Sequence, residues 1–89
     1  MAKVKITHPT ESEVKKMNFE DWGEWSCEVS EFPWQYSDRE TCYILDGEVT
    51  VKTDEGDYSF KKGDLVVFEK GLKCTWVVKK PVRKYYKFG

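Results

Sequence analysis

Three short segments each bring two side chains with useful chemistry onto one face of a predicted strand. Side chains two residues apart along a strand project to the same side. The pairs are Trp34 with Tyr36, Glu40 with Cys42, and Cys74 with Trp76. A carboxyl group withdrawn from water has a raised pKa, which suits proton transfer near neutral pH. A phenol can donate a hydrogen bond to a developing oxyanion, a thiol can act as a nucleophile, and indole rings can stack on a flat or sugar-like ligand.

The composition indicates that strands position these side chains. The chain has ten valines and fourteen aromatic residues, but only one alanine and three leucines. Valine and aromatic side chains fit the pleated surface of a sheet, whereas helices favour alanine and leucine. We therefore predict an all-β fold, and 89 residues suffice for a single domain over 1–89.

The sequence from residue 41 onward predicts strands that are separated by turns. The sequence over 41–53 predicts one long strand, 54–57 a hairpin turn with a glycine, and 58–60 the returning strand. Proline has no N–H to donate to a sheet. We therefore expect Pro33 and Pro81 to interrupt the strands in which they occur.

The N-terminal part combines one strand with one helical turn. Val4 and Ile6 alternate with polar residues and predict a strand. Thr10 or Ser12 can cap a short helical turn over 11–17, which has acidic residues at its start and lysines at its end.

The stretch 34–47 resembles the first motif of the cupin superfamily. That motif reads His-x-His, three or four residues, Glu, six residues, Gly. Here Trp34-Gln35-Tyr36 stands in place of His-x-His, and Glu40 and Gly47 match. Of the ligand positions in this motif, only the carboxylate is kept.

The stretch 63–74 resembles the second cupin motif, which reads Gly, five residues, Pro-x-Gly, two residues, His. Gly63 and Gly71 match, Glu69 stands in place of the proline, and Cys74 stands in place of the histidine. The resemblance extends over most of the chain. It is greatest to small single-domain cupins related to the ethanolamine-utilisation and ureidoglycine-metabolism proteins.

The resemblance implies a single-domain cupin jelly-roll barrel with a short N-terminal helical turn, and a homodimer. The paired faces described above would then line an interior cavity. We expect three catalytic residues and three ligand-binding residues. The catalytic set is Glu40 as general acid or base, Tyr36 as hydrogen-bond donor and Cys74 as nucleophile. The binding set is Trp34, Trp76 and Cys42.

The function implied is that of a small-molecule enzyme of unknown substrate that requires no metal or other cofactor. One alternative is a non-catalytic module that binds a metabolite, and another is a scaffold that acts through its dimer surface. A weaker alternative is a divalent metal held by Glu40, Cys74 and Tyr36, a ligand mixture that is unusual for a catalytic site. Structural alternatives also stand: the cysteines and aromatic residues could be core, and Glu40 could pair with an internal hydroxyl or with Arg39.

Charge and hydropathy exclude several partners. The formal net charge is −1, so no basic field predicts binding to nucleic acid or to an anionic membrane. The basic residues near the C-terminus are expected to be solvated strand residues; they are Lys79, Lys80, Arg83, Lys84 and Lys87. His8 is expected at the surface. The sequence has no signal-peptide pattern and no long apolar run, so we expect a cytoplasmic protein. Abundant Lys and Glu with few amides suggest a thermophilic source.

Overall fold

Seven β-strands form most of the computed structural model, which describes residues 3–89. The strands are β1 (Val4–Thr7), β2 (Gly23–Cys27), β3 (Ser30–Gln35), β4 (Glu40–Thr53), β5 (Gly56–Lys61), β6 (Leu65–Phe68) and β7 (Lys73–Phe88). One α-helix, α1 (Glu11–Lys15), and one 3₁₀ turn (Phe19–Asp21) lie between β1 and β2. The all-β prediction is confirmed in part: strands make up most of the fold, together with one short α-helix. The first two residues of the predicted domain lie outside the described part of the chain.

Antiparallel pairing joins the strands in the order β1-β6-β4-β7-β2, with β3 added to β7 and β5 added to β4. This order is open, since β1 and β2 stand at its two ends. The pairing therefore establishes the sheet but not the closure of a jelly-roll barrel. The longest elements, β4 and β7, pair along most of their length and form the centre of the molecule.

The two prolines do not interrupt their strands, contrary to expectation. Pro33 lies inside β3, which pairs with β7 alone, so its missing N–H can face away from the sheet. Pro81 lies inside β7 where the β4–β7 register shifts, opposite the stretch around Gly47. Bulges are a second place where sheets accept proline. Gly47, with a φ of +101°, is therefore a bulge residue within the long strand β4.

The predicted helical turn is present, and it ends at Lys15, two residues earlier than expected. Thr10 Oγ1 accepts from the Glu13 N–H at 3.2 Å, and the Glu13 carboxylate accepts from the Thr10 N–H at 3.0 Å. This reciprocal capping box satisfies two backbone donors and fixes where the helix begins. No helix within residues 3–89 is long and apolar enough to cross a membrane.

The core lies between the inward faces of β4, β6 and β7, to which β1 adds Val4 and β5 adds Phe60. Cys74, Trp76 and Val78 alternate inward along β7 as predicted. The Trp76 ring packs against Phe60 and Phe68, with ring centroids 5.6 and 5.7 Å away. These contacts give one end of the interior a cluster of aromatic rings that holds Trp76 in place.

Candidate functional site

A pocket of about 250 Å³ lies at the aromatic end of the interior. Its walls are aromatic rings and its floor carries a carboxylate, an ammonium group and a phenol. The lining residues are Trp25, Phe32, Trp34, Tyr36, Glu40, Trp76, Lys84, Tyr86 and Phe88.

Strand register explains why these side chains meet. Trp25 of β2 lies opposite Lys84 of β7, and Phe32 of β3 lies opposite Trp76 of the same strand. Because β7 pairs with β3 along its first half and with β2 along its second half, one face of β7 gathers rings from both neighbours. β4, on the other side of β7, contributes Glu40 to the same pocket.

The floor of the pocket is a buried ion pair. Lys84 Nζ donates to Glu40 Oε2 at 2.7 Å, and the two side chains are 8% and 6% exposed. Each ion compensates part of the cost of removing the other from water. Neither partner in the structural alternative for Glu40 is observed: its hydrogen-bond donors among residues 3–89 are Lys84 and Cys42 rather than a hydroxyl group. Arg39 instead contacts Glu69 at 3.6 Å.

The ammonium group of Lys84 lies among aromatic rings. Its Nζ is 4.9 Å from the ring centroid of Trp25, 4.7 Å from that of Trp76 and 5.8 Å from that of Tyr86. The two indole rings are nearly perpendicular, at 80°, so the nitrogen lies in the corner between them. Attraction between the cation and the ring faces adds to the ion pair in holding Lys84 inside.

Cys42 supports this pair from within the core. Its thiol donates to Glu40 Oε2 at 2.7 Å, and its sulfur accepts from Lys84 Nζ at 3.4 Å. Burial raises the pKa of the Cys42 thiol far above its usual range; the opposing effect of the Lys84 charge is smaller, and the Glu40 carboxylate adds to the rise. Cys42 is therefore a neutral hydrogen-bond donor rather than a nucleophile.

Tyr36 places a phenol at the pocket and keeps its proton. Trp76 Nε1 donates to Tyr36 Oη at 3.1 Å. Burial, followed by the nearby Glu40 and Cys42, raises the pKa of Tyr36 well above its usual range. The hydroxyl thus accepts from Trp76 and retains its own hydrogen for a ligand.

The carboxylate of Glu40 also retains capacity for a ligand. Its Oε2 accepts from Lys84 and Cys42, whereas Oε1 has no hydrogen-bond partner among residues 3–89. Within that range no unpartnered side-chain oxygen or nitrogen is sealed from solvent. Oε1 is therefore an accessible acceptor at the pocket floor, which together with Tyr36 offers one free acceptor and one free donor.

Four of the six residues predicted from the sequence line the pocket, namely Trp34, Tyr36, Glu40 and Trp76. Cys42 lies beneath the floor, fully buried, and does not line it. Cys74 is also absent from the lining, so the expectation that it forms part of the cavity wall is wrong. Its side chain points into the core, where burial raises its pKa to about 11 and keeps the thiol protonated at neutral pH.

Sequence reasoning missed Lys84, which it grouped with solvated lysines. The signal was present, because Lys84 follows Trp76, Val78 and Val82 at even spacing and so belongs to the inward face of β7. The other four members of that basic cluster are exposed, as expected. His8 is at the surface as predicted, where Nδ1 contacts Asp64 Oδ1 at 2.9 Å.

The residues at this site do not fit a metal ion. No group of three or more His, Cys, Asp or Glu side chains lies together within residues 3–89. The one carboxylate that lines the pocket is already paired with the Lys84 ammonium group, 2.7 Å away. Cys74, one of the three ligands considered for a metal, lies outside the lining.

Comparisons of the sequence and of the structure with known proteins point to the same family. A family model described as the EutQ-like cupin domain matches residues 14–86. A DUF861 family protein from Thermotoga maritima superposes with a TM-score of 0.91 and 52% identity, over 97% of this chain and 99% of that chain. The Clostridium difficile EutQ protein superposes with a TM-score of 0.68 and 26% identity, over 73% of this chain and 52% of that chain.

A more distant likeness adds to the fold comparison. A putative ethanolamine utilization protein Q from Salmonella typhimurium superposes with a TM-score of 0.67 and 23% identity, over 93% of this chain and 66% of that chain, which shows a shared fold alone. A search among curated proteins finds no match.

Proposed function

Because the chain belongs to the EutQ-like cupin family, as its two motifs predicted, we propose that it binds a small molecule in the aromatic pocket without using a metal. The observation that carries this proposal is the ion pair of Glu40 and Lys84 at the pocket floor. A buried ion pair contributes little net stability, because the cost of desolvation offsets the attraction. Its position under an open pocket is better explained by interaction with a ligand.

The pocket also indicates what kind of molecule would bind. Its volume of about 250 Å³ is below the roughly 300–1,000 Å³ of drug-sized sites, so the ligand is metabolite-sized. The floor pairs one positive with one negative group, which favours an uncharged ligand over an ion. A flat or ring-shaped body would pack on the aromatic walls, and a polar end would meet Glu40 Oε1 and the Tyr36 hydroxyl.

Acid–base catalysis on the bound molecule is the second candidate function. It is favoured by the accessible Oε1 of Glu40 and by the retained proton of Tyr36, the two roles predicted from the sequence. Binding is placed first, because Oε2 of the Glu40 carboxylate already accepts hydrogen bonds from Lys84 and Cys42, which leaves Oε1 for contact with a ligand. A binding module retains its ligand unchanged, whereas an enzyme releases a product that mass spectrometry detects.

Four further expectations belong to the same proposal: closure of the strands into a jelly-roll barrel around the pocket, a homodimer, a cytoplasmic location and a thermophilic source. The similarity to the Thermotoga maritima protein supports the last. For the dimer, β1 is an end strand of the sheet, and an end strand offers backbone groups to which a second copy can add.

The fluorescence of the pocket tryptophans provides a direct test. Trp25, Trp34 and Trp76 line the pocket, so a bound ring should change their emission in a saturable way. We expect saturation with members of a set of uncharged cyclic polyols, lactams and aromatic amides or aldehydes, and none with matched anions and cations. If no uncharged compound saturates the signal, the proposed binding function is refuted.

Trp34→Ala tests the pocket, and Trp22→Ala is its matched control. Trp34 is 51% exposed and lines the pocket, so its loss should spare the fold. Affinity should fall about 3- to 10-fold, the value of one aromatic contact. Trp22 lies outside the lining, packed on Phe19 at 4.9 Å, and its removal should leave affinity unchanged. Equal ligand affinities for the two variants would show that the ligand does not bind in this pocket.

A further inference from the structure

Lys84 differs from every other lysine in residues 3–89. Its side chain is 8% exposed, whereas the other twelve lysines are all exposed. It lines the pocket, and its amine is directed to a carboxylate at 2.7 Å. Enclosure of a lysine amine in a hydrophobic pocket is an arrangement that favours lysine as a nucleophile toward carbonyl compounds.

We propose that Lys84 forms an imine with an aldehyde or ketone bound in the pocket, which identifies the ligand class as small, uncharged carbonyl compounds with an apolar body. The inference rests on the proposed function, since the carbonyl compound must first occupy the aromatic pocket. The three groups that act on the ligand are Lys84 Nζ, the Glu40 carboxylate and the Tyr36 hydroxyl.

The proton positions allow the reaction to balance without a further reagent. Glu40 Oε2 takes a proton from Lys84 Nζ, and the freed amine attacks the carbonyl carbon. The carbonyl oxygen, held by the Tyr36 hydroxyl, receives that proton, and the carbinolamine forms. A second proton from nitrogen reaches the same oxygen through Glu40, and water leaves. The net change converts an ammonium group and an aldehyde into an iminium ion and water, with the charge of the site unchanged.

The aromatic enclosure assists the first of these steps. Trp25 and Trp76 border Lys84 Nζ at 4.9 and 4.7 Å, and a ligand ring stacked between the walls would expel the remaining water. Loss of water disfavours the pair of ions more than the neutral amine and carboxylic acid, because charged groups lose the most solvation. The iminium ion that follows restores a cation beside Glu40 and between the same two rings.

Reductive trapping with benzaldehyde and cyanoborohydride at neutral pH tests the inference. Cyanoborohydride reduces the iminium ion to a stable benzyl amine, and peptide mapping by mass spectrometry locates it. We expect Lys84 to be labelled about tenfold or more faster than the exposed lysines, since the pocket concentrates the aldehyde next to its amine. The rate at Lys84 should saturate with benzaldehyde concentration, whereas the rates at exposed lysines should rise linearly.

Lys80 supplies the internal comparison. It lies four residues earlier on β7 and pairs with Glu48 of β4 at 3.6 Å, but its side chain is 72% exposed. It therefore has the same kind of carboxylate partner without the pocket. Labelling confined to Lys80 and other exposed lysines, with Lys84 spared, overturns the inference.

Two variants separate the chemistry from simple access. Lys84→Arg keeps a cation beside Glu40 and cannot form an imine, so the label at this position should vanish while labelling of Lys80 continues. Glu40→Gln removes the proton acceptor and should slow labelling at position 84 about tenfold or more, with Lys80 unaffected. An unchanged rate in folded Glu40→Gln protein refutes the role of Glu40 in the transfer.

Tryptophan fluorescence without reductant distinguishes failure of the inference from failure of the proposed function. If benzaldehyde saturates the fluorescence change but no adduct forms at Lys84, the pocket binds small molecules and the imine is refuted. If benzaldehyde gives neither signal, the carbonyl class is refuted, and the uncharged polyols, lactams and amides decide the binding function independently.

Discussion

Replacement of the buried Lys84 by methionine should destabilise the protein far more than replacement of an exposed lysine. Methionine keeps the length and the apolar stem of the side chain but removes the charge. Glu40, whose carboxylate is 6% exposed, is then left as a buried anion without a cation. Cys42 still donates one hydrogen bond to it, but a neutral thiol cannot replace an ammonium group.

The magnitude follows from the 2.7 Å separation of Lys84 Nζ and Glu40 Oε2. With an effective dielectric constant of about 20, two unit charges at that distance attract by about 6 kcal/mol. Part of this is offset because Lys84 no longer has to be desolvated, and removal of one member of a buried pair typically costs about 3–5 kcal/mol. We expect a loss near 4 kcal/mol for Lys84→Met, where ~4 kcal/mol is a large share of the stability of a small domain.

Urea denaturation followed by tryptophan fluorescence measures this loss. For a domain of this size an m-value of about 1.5 kcal/mol/M is expected, so a loss of about 4 kcal/mol lowers the midpoint by roughly 2.7 M. Lys80→Met is the matched control on the same strand, since it breaks an exposed pair at 3.6 Å. That change should cost about 1 kcal/mol or less.

The double variant Glu40→Gln with Lys84→Met distinguishes a buried ion pair from a general packing effect. It removes both charges while nearly keeping both volumes, so most of the stability lost in Lys84→Met should return. Two results would refute the reasoning: equal midpoints for Lys84→Met and Lys80→Met, or a double variant as unstable as the sum of its single changes.

Two further predictions concern Gly47 at the bulge and the buried thiol of Cys74. Gly47→Ala should lower the free energy of unfolding more than Gly71→Ala, although both glycines have φ near +90 to +100°. A Cβ at Gly47 would lie 2.5 Å from the Pro81 carbonyl oxygen, whereas a Cβ at Gly71 would have no neighbour within 4 Å. Similar urea midpoints for the two variants would contradict this prediction. Burial raises the pKa of Cys74 to about 11 from the ordinary 9.0, so stability should be constant below pH 9 and fall as the pH rises toward 11, because the unfolded chain releases the proton first. Cys74→Ala should flatten the alkaline fall seen by urea titration at several pH values, and an unchanged slope would exclude this thiol as a cause.

The fold was largely predictable because its signals are local. The 41–53 strand, the hairpin glycine and the cap at Thr10 each depend on residues within a few positions of one another, and all three are present. The prolines were misjudged for the opposite reason. Whether a missing N–H matters depends on the neighbouring strand, and Pro33 lies in a strand paired on one side while Pro81 lies at a bulge.

The site was predicted in part, and the division has a physical cause. Alternation along single strands correctly brought Trp34, Tyr36, Glu40 and Trp76 to the pocket. Alternation shows the face to which a side chain points, but not whether that position along the strand lies at the pocket or in the packed core. Cys74 was therefore expected in the pocket lining, and it is not there. The catalytic and binding roles of these residues remain predictions.

The sequence by itself determined the family, the strand content and the face to which most side chains point, because each is encoded by spacing along the chain. Only the tertiary structure decided that Lys84 meets Glu40, forty-four residues earlier. That contact depends on the shifted register between β4 and β7 and on the rings that β2 and β3 add around β7. The spacing of Lys84 indicates the inward face of β7, but its burial could be recognised only once its partner was known, because burial of a charge is tolerated only where an opposite charge compensates it.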